Sequence, residues 1–144
     1  MSITRENPNT IFLGGEYTEI GDLAASETIT PGHLVERFNS GGVIRWRKAT
    51  ADIAGPMTVA LNQSMLNKGV DDDYAANDLM QVASLQKGAT AWMFIASGQN
   101  VAAGVILGSA GGGTLKTGAT VARCTAIENK PTVTVLTRIR VEAL

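Results

Sequence analysis

The sequence predicts a single all-β domain, a small barrel or sandwich, from two observations: short apolar stretches that alternate or are wholly apolar, and frequent glycine punctuation between them. Sixteen glycines occur among 144 residues, and the apolar share of 44% comes mainly from Ala, Val, Leu and Ile while aromatics supply 5%. Small aliphatic side chains suit thin, closely packed sheets. No strong helix, tandem repeat or interdomain linker is present.

Residues 1–25 keep no sustained period; Asn7-Pro8-Asn9 and Gly14-Gly15 bracket a lone apolar patch, Ile11-Phe12-Leu13. This segment reads as an extended N-terminal arm that is ordered only if it docks, and residues 26–144 as the folded domain. Thr30-Pro31-Gly32 places proline and glycine where a type II turn needs them. His33–Phe38 and Val43–Lys48 then flank Asn39-Ser40-Gly41-Gly42 as a hairpin with a four-residue loop, its arginines at a rim.

After Gly55-Pro56, Met57, Val59 and Leu61 alternate with Thr58 and Ala60 as a half-buried strand. Asn62–Asp78, which contains Asp71-Asp72-Asp73, is too polar for a core strand and reads as a surface excursion with a short helical turn around Ser64–Asn67. Leu79–Leu85 is another strand. Ala89–Ala96 is a continuous apolar run of the length of a strand buried on both faces. Val101–Leu107, interrupted by Gly104, is a further short segment before the turn at Gly111-Gly112-Gly113. Finally Val133, Val135, Thr137, Ile139 and Val141 keep a strict period of two, with Arg138 and Arg140 on the wet face, and Ala119–Glu128 is the partner strand of a terminal hairpin.

The residue inventory argues against most chemistry. One cysteine, Cys124, rules out an intrachain disulfide and a multi-cysteine metal site. His33 is the only histidine, so any nucleophile–histidine scheme must use it, and its place directly after a Pro-Gly turn reads as a turn exit. The acidic run lacks the spacing of an EF-hand loop, and Gly108–Thr114 lacks the lysine of a phosphate-binding loop. Twelve basic residues against 13 acidic ones, with Arg45, Arg47 and Lys48 the only tight basic group, leave no nucleic-acid footprint. No run reaches membrane-spanning length and Met1–Asn9 lacks the apolar core of a secretion signal, so the product is expected to stay in the cytoplasm until something assembles it. No catalytic residue, metal site or cofactor is assigned, and the protein is expected not to be an enzyme.

The order of segments carries a resemblance. The arm, the Pro-Gly turn into a hairpin, Val59-Ala60-Leu61-Asn62, Lys68-Gly69-Val70-Asp71-Asp72-Asp73, Ala96-Ser97-Gly98-Gln99-Asn100, Ala122-Arg123-Cys124-Thr125 and Arg138-Ile139-Arg140-Val141 together resemble the capsid decoration, or cement, proteins of tailed bacteriophages from about Thr28 to Val141. The resemblance implies a β-barrel-like or β-tulip domain, commonly trimeric. Such a domain sits on the outer face of the head, bridges major capsid protein subunits and has no enzymatic activity. It also suggests Ile3–Leu13 as a clamping arm.

Within that reading Ile11, Phe12, Leu13 and Trp46 are the candidate capsid or subunit contacts. Two other readings compete. One is a carrier or accessory module of an enzyme, for which Lys116 or Lys130 would need the hairpin-tip setting of a modified lysine. The other is a carbohydrate-binding module with Trp46 as its platform.

Overall fold

The computed structural model describes residues 10–131 and 133–144. Among the described residues eleven strands follow one another: β1 (Phe12–Gly14), β2 (Tyr17–Ile20), β3 (Val35–Ser40), β4 (Val43–Lys48), β5 (Met57–Ala60), β6 (Val82–Leu85), β7 (Thr90–Ile95), β8 (Ile106–Gly111), β9 (Thr114–Thr117), β10 (Cys124–Ala126) and β11 (Thr137–Ala143). The all-β expectation holds, and the architecture is a closed five-stranded barrel in the order β7-β11-β10-β8-β9. Closure comes from a parallel contact of Ile95 with Leu115, where the Ala96 amide donates to the Leu115 carbonyl at 2.9 Å. β11 occupies one whole edge of β7, so β1 and β9 share the other, β1 lying opposite Ala91.

β7 shows why an uninterrupted apolar run is needed here. Ala91, Met93 and Ile95 face the interior together with Ile139 and Val141 across the ladder, and all five have no exposed surface. Trp92 and Phe94 point outward yet remain buried, because cross-strand neighbours cover them: the Arg138 guanidinium stands 4.6 Å from the Phe94 ring centre and that of Arg140 5.7 Å from Trp92. A cation over an aromatic face shields the ring while keeping an electrostatic attraction.

A three-stranded sheet, β2-β6-β5, lies beside the barrel. Met57, Val59, Ala83 and Leu85 join the barrel core, whereas Ala60 and Val82 join a second cluster with Ile29, Val35, Trp46 and Met80. All four residues of β5 are therefore buried, not every second one as its alternation suggests, because the sheet is a middle layer with apolar partners on both sides.

The β3–β4 ribbon covers that second cluster. Its loop is shorter than expected: Asn39 and Ser40 pair with Ile44 and Val43, leaving a two-residue turn at Gly41-Gly42 whose amide at Gly42 is held by the Asn39 side-chain oxygen at 2.7 Å. The type II turn is present as expected, with Gly32 at φ +104° and the His33 amide donating to the Thr30 carbonyl at 3.1 Å.

Other boundaries move. The described part of the expected arm, from Thr10 onward, is built into the body: Ile11 has no exposed surface, β1 pairs with β7 and β2 pairs with β6. Main-chain pairing to strands far along the chain, not local periodicity, orders it. Ile3 and the rest of residues 1–9 lie outside the described residues. Val101–Leu107 is not a strand; β8 begins at Ile106 and turns at Gly112-Gly113 into β9, for which the sequence has no alternation to show.

The terminal hairpin forms, but β10 is only three residues long and β11 starts at Thr137 after a bend that leaves Val135 66% exposed. The excursion contains a 3-10 turn at Ser64–Leu66, and it is pinned to the body by buried Val70 and by Tyr74, whose amide and carbonyl both bond Ile29.

Candidate interaction surface

The residues singled out for contact fall into two groups. Ile11 is fully buried in the barrel core and Trp46 is 1% exposed in the second cluster, so both are corrected from contact candidates to core residues: a side chain already covered by its own chain has no face to offer. Trp46 is for the same reason no sugar platform. Phe12 is half-buried against Tyr17, with ring centres 4.3 Å apart, and Leu13 alternates outward at 43% exposure. Of the four, Leu13 alone presents a large apolar surface.

The groups considered for chemistry are occupied structurally. Cys124 is fully buried, and burial pushes its thiol up to about 12, which suppresses the reactive thiolate. Asp71 pairs with Arg138 at 3.0 Å, Asp72 accepts from the Gly69 amide at 2.6 Å, and Asp73 accepts from the Thr30 hydroxyl at 2.7 Å. The three acids thus point to three different partners instead of converging on a point. Arg47 pairs with Glu36 at 2.7 Å and Arg45 bonds the Asn77 side chain, so both arginines of the basic group are held locally. Lys116 lies within β9 and Lys130 bridges Val101, neither at a hairpin tip, which removes the setting a carrier lysine needs.

His33 is a buried turn exit. Its Nδ1 stands 3.0 Å from the Thr30 carbonyl oxygen and 3.2 Å from the Thr30 amide nitrogen, so a neutral ring makes one of the two bonds according to tautomer, and its ring packs against Phe94 at 4.7 Å. Burial, reinforced by the positive charge of Lys48, lowers its pKa to about 4. The unfolded chain then binds a proton near pH 6.5 that the folded chain refuses until about pH 4. Stability from this group is complete above pH 6.5 and falls as the pH drops toward 4, by up to about 3 kcal/mol. Urea titrations at pH 7 and pH 4.5 should show that loss, and His33→Gln should reduce the difference; an identical pH dependence in the variant would refute the assignment.

What remains outward is apolar surface on strand ends and loops. At the β3–β4 tip Val43 is 53% and Ile44 46% exposed, on opposite faces of the ribbon; Ile44 shares its side with the buried Trp46 yet is itself left uncovered. Val135 and Leu136 protrude before β11, and Met65 and Leu66 stand on the 3-10 turn. Exposed apolar groups scattered singly are ordinary, but pairs at protruding tips are the parts of a surface that a partner can cover.

No protein-family model and no curated protein matches the chain. Among solved structures it is similar to the N base of head fiber gp8.5 in bacteriophage phi29, with a TM-score of 0.58 and 14% identity over 90% of this chain and 98% of that one. At that identity the likeness is one of fold. It spans both chains almost end to end. Among the described residues no helix is long and apolar enough to cross a membrane.

Proposed function

We propose that this protein is a non-enzymatic structural component of a phage virion that attaches to the outer surface of the head as a homotrimer and stabilises it by bridging neighbouring major capsid protein subunits. The observation that supports the reading most is the near end-to-end fold likeness to the base of a phage head fiber. The order of segments that resembles cement proteins points the same way, and His33, Cys124 and the run Asp71-Asp72-Asp73 are taken up in internal contacts. The protein takes no cofactor, nucleic acid or membrane as a partner in this reading.

Val43 and Ile44 are the contact residues of choice. They sit at the free end of a two-stranded ribbon, where the described residues leave about half of each exposed. Purified protein should co-sediment saturably with undecorated heads of its own phage and raise the temperature at which those heads open. Val43→Asp combined with Ile44→Asp should weaken that binding by about tenfold or more, as expected for charges placed in an apolar contact, while the isolated protein keeps its melting temperature. Absence of head binding by the wild-type chain would sink the proposal; unimpaired binding by the double variant would move the contact elsewhere on the surface.

A further inference from the structure

A cleft of about 470 Å³ opens between β1, the outer strand β2 and the segment that carries the 3-10 turn. Its size lies in the range of small-ligand sites. One wall is aromatic, formed by Phe12 and Tyr17. The ring planes are inclined at 48°, so Phe12 buttresses the Tyr17 ring, which is itself 38% exposed. Tyr17 and Glu19, two apart on β2, share the cleft-facing side of the strand, and Gln81 leads into the neighbouring β6.

The polar groups here have spare capacity. Among the described residues, the Glu19 carboxylate, the Gln81 amide and the Ser64 hydroxyl make no side-chain hydrogen bond or ion pair, although all three line the cleft. The frame around them is fixed: the Asn62 side-chain oxygen accepts from the Ile11 amide at 3.1 Å, and Gln63 donates to the Leu79 carbonyl at 3.3 Å. Among the described residues the lining holds one carboxylate and no lysine or arginine, which disfavours phosphate, sulfate or any acidic ligand.

From these features we infer that the cleft binds a neutral pyranose sugar. The aliphatic face of such a ring matches an aromatic wall, and vicinal hydroxyls match a carboxylate that accepts two hydrogen bonds and an amide that both donates and accepts. Met65 and Leu66 form the apolar lip over the ligand's edge. This site is separate from the β3–β4 tip assigned to head contact, so the two readings stand or fall independently.

The test is saturation-transfer NMR of the full chain with methyl glucoside, methyl galactoside, methyl mannoside and N-acetylglucosamine, with sialic acid as the acidic comparison. At least one neutral sugar should receive saturation and sialic acid should not. Tyr17→Ala should reduce the transfer about fivefold or more through loss of the stacking wall. Glu19→Gln, an exposed change that leaves the fold intact, should weaken binding and provides the readout if the tyrosine variant unfolds. No transfer to any neutral sugar, transfer unchanged in both variants, or perturbation of cleft resonances by heads but by no sugar would each overturn the assignment.

Discussion

Gly108→Ala is expected to destabilise the protein by about 3 kcal/mol or more, read as a lowered urea midpoint, because a single added methyl has no room. A Cβ at this position would lie 2.1 Å from the Val121 carbonyl oxygen and 2.5 Å from the Ala119 Cβ. The first of these is main chain, in the segment that passes over β8 before β10, and it cannot swing aside as a flexible side-chain tip would.

Gly108 does not need a left-handed backbone. It sits in the β8 ladder opposite Lys116, so the requirement is the close approach alone. Gly69→Ala is the matched control: its nearest neighbour would be the Asp72 carboxylate at 3.7 Å and its backbone is also not left-handed, so a change within about 0.5 kcal/mol is expected there. Equal effects at the two positions would show that the crossing over β8 is looser than described.

Arg138→Met should cost a comparable amount, about 3–5 kcal/mol, by leaving buried carbonyls without donors. The guanidinium donates to the Pro31 carbonyl through Nε and Nη2 at 3.3 and 3.1 Å, to the Val70 carbonyl at 2.6 Å and to Asp71 at 3.0 Å, while its side chain is 3% exposed. One planar fork thereby ties the turn at Pro31 and the surface excursion at Val70 to β11.

Arg138→Lys should recover little, since an ammonium cannot reach two carbonyls and a carboxylate in that fixed plane. Asp71→Asn should cost less than about 1 kcal/mol, because Asp71 is 66% exposed and the pair is screened on that side. Thermal and urea denaturation of the three variants separates the carbonyl network from the ion pair; a loss at Asp71 equal to that at Arg138 would assign the energy to charge instead.

Arg138 also shows where alternation stops being informative. In β11 the period of two places Ile139 and Val141 inward, and both are fully buried. The same period assigns Arg138 to the wet face, and geometrically it does leave the barrel; what buries it is the pair of loops laid over that face from residues about 70 and 110 positions away. Trp46 is the converse case: its strand is legible from pattern, but only the packing of the ribbon on the middle sheet reveals that it is core and that Ile44, on the same side, is not.

Likewise the cleft beside Tyr17 joins three segments, around residues 10–19, 61–66 and 81, none of which carries a motif. Aromatic, amide and carboxylate residues scattered along a chain look like surface composition until long-range pairing brings them to one place.

By itself the sequence determined the all-β class, the apolar β7 strand, the Pro-Gly turn, the hairpin on either side of Gly41-Gly42 and the terminal pairing of β10 with β11. These depend on side-chain period and on turn residues, both local properties. Only the tertiary structure decided the closure of the barrel through Ile95 and Leu115, the capture of β1 and β2 by β7 and β6, and the burial of Ile11, Trp46 and Arg138. Those outcomes rest on main-chain hydrogen bonds and shared apolar contacts between segments far apart in the chain, for which a backbone group carries no sequence mark.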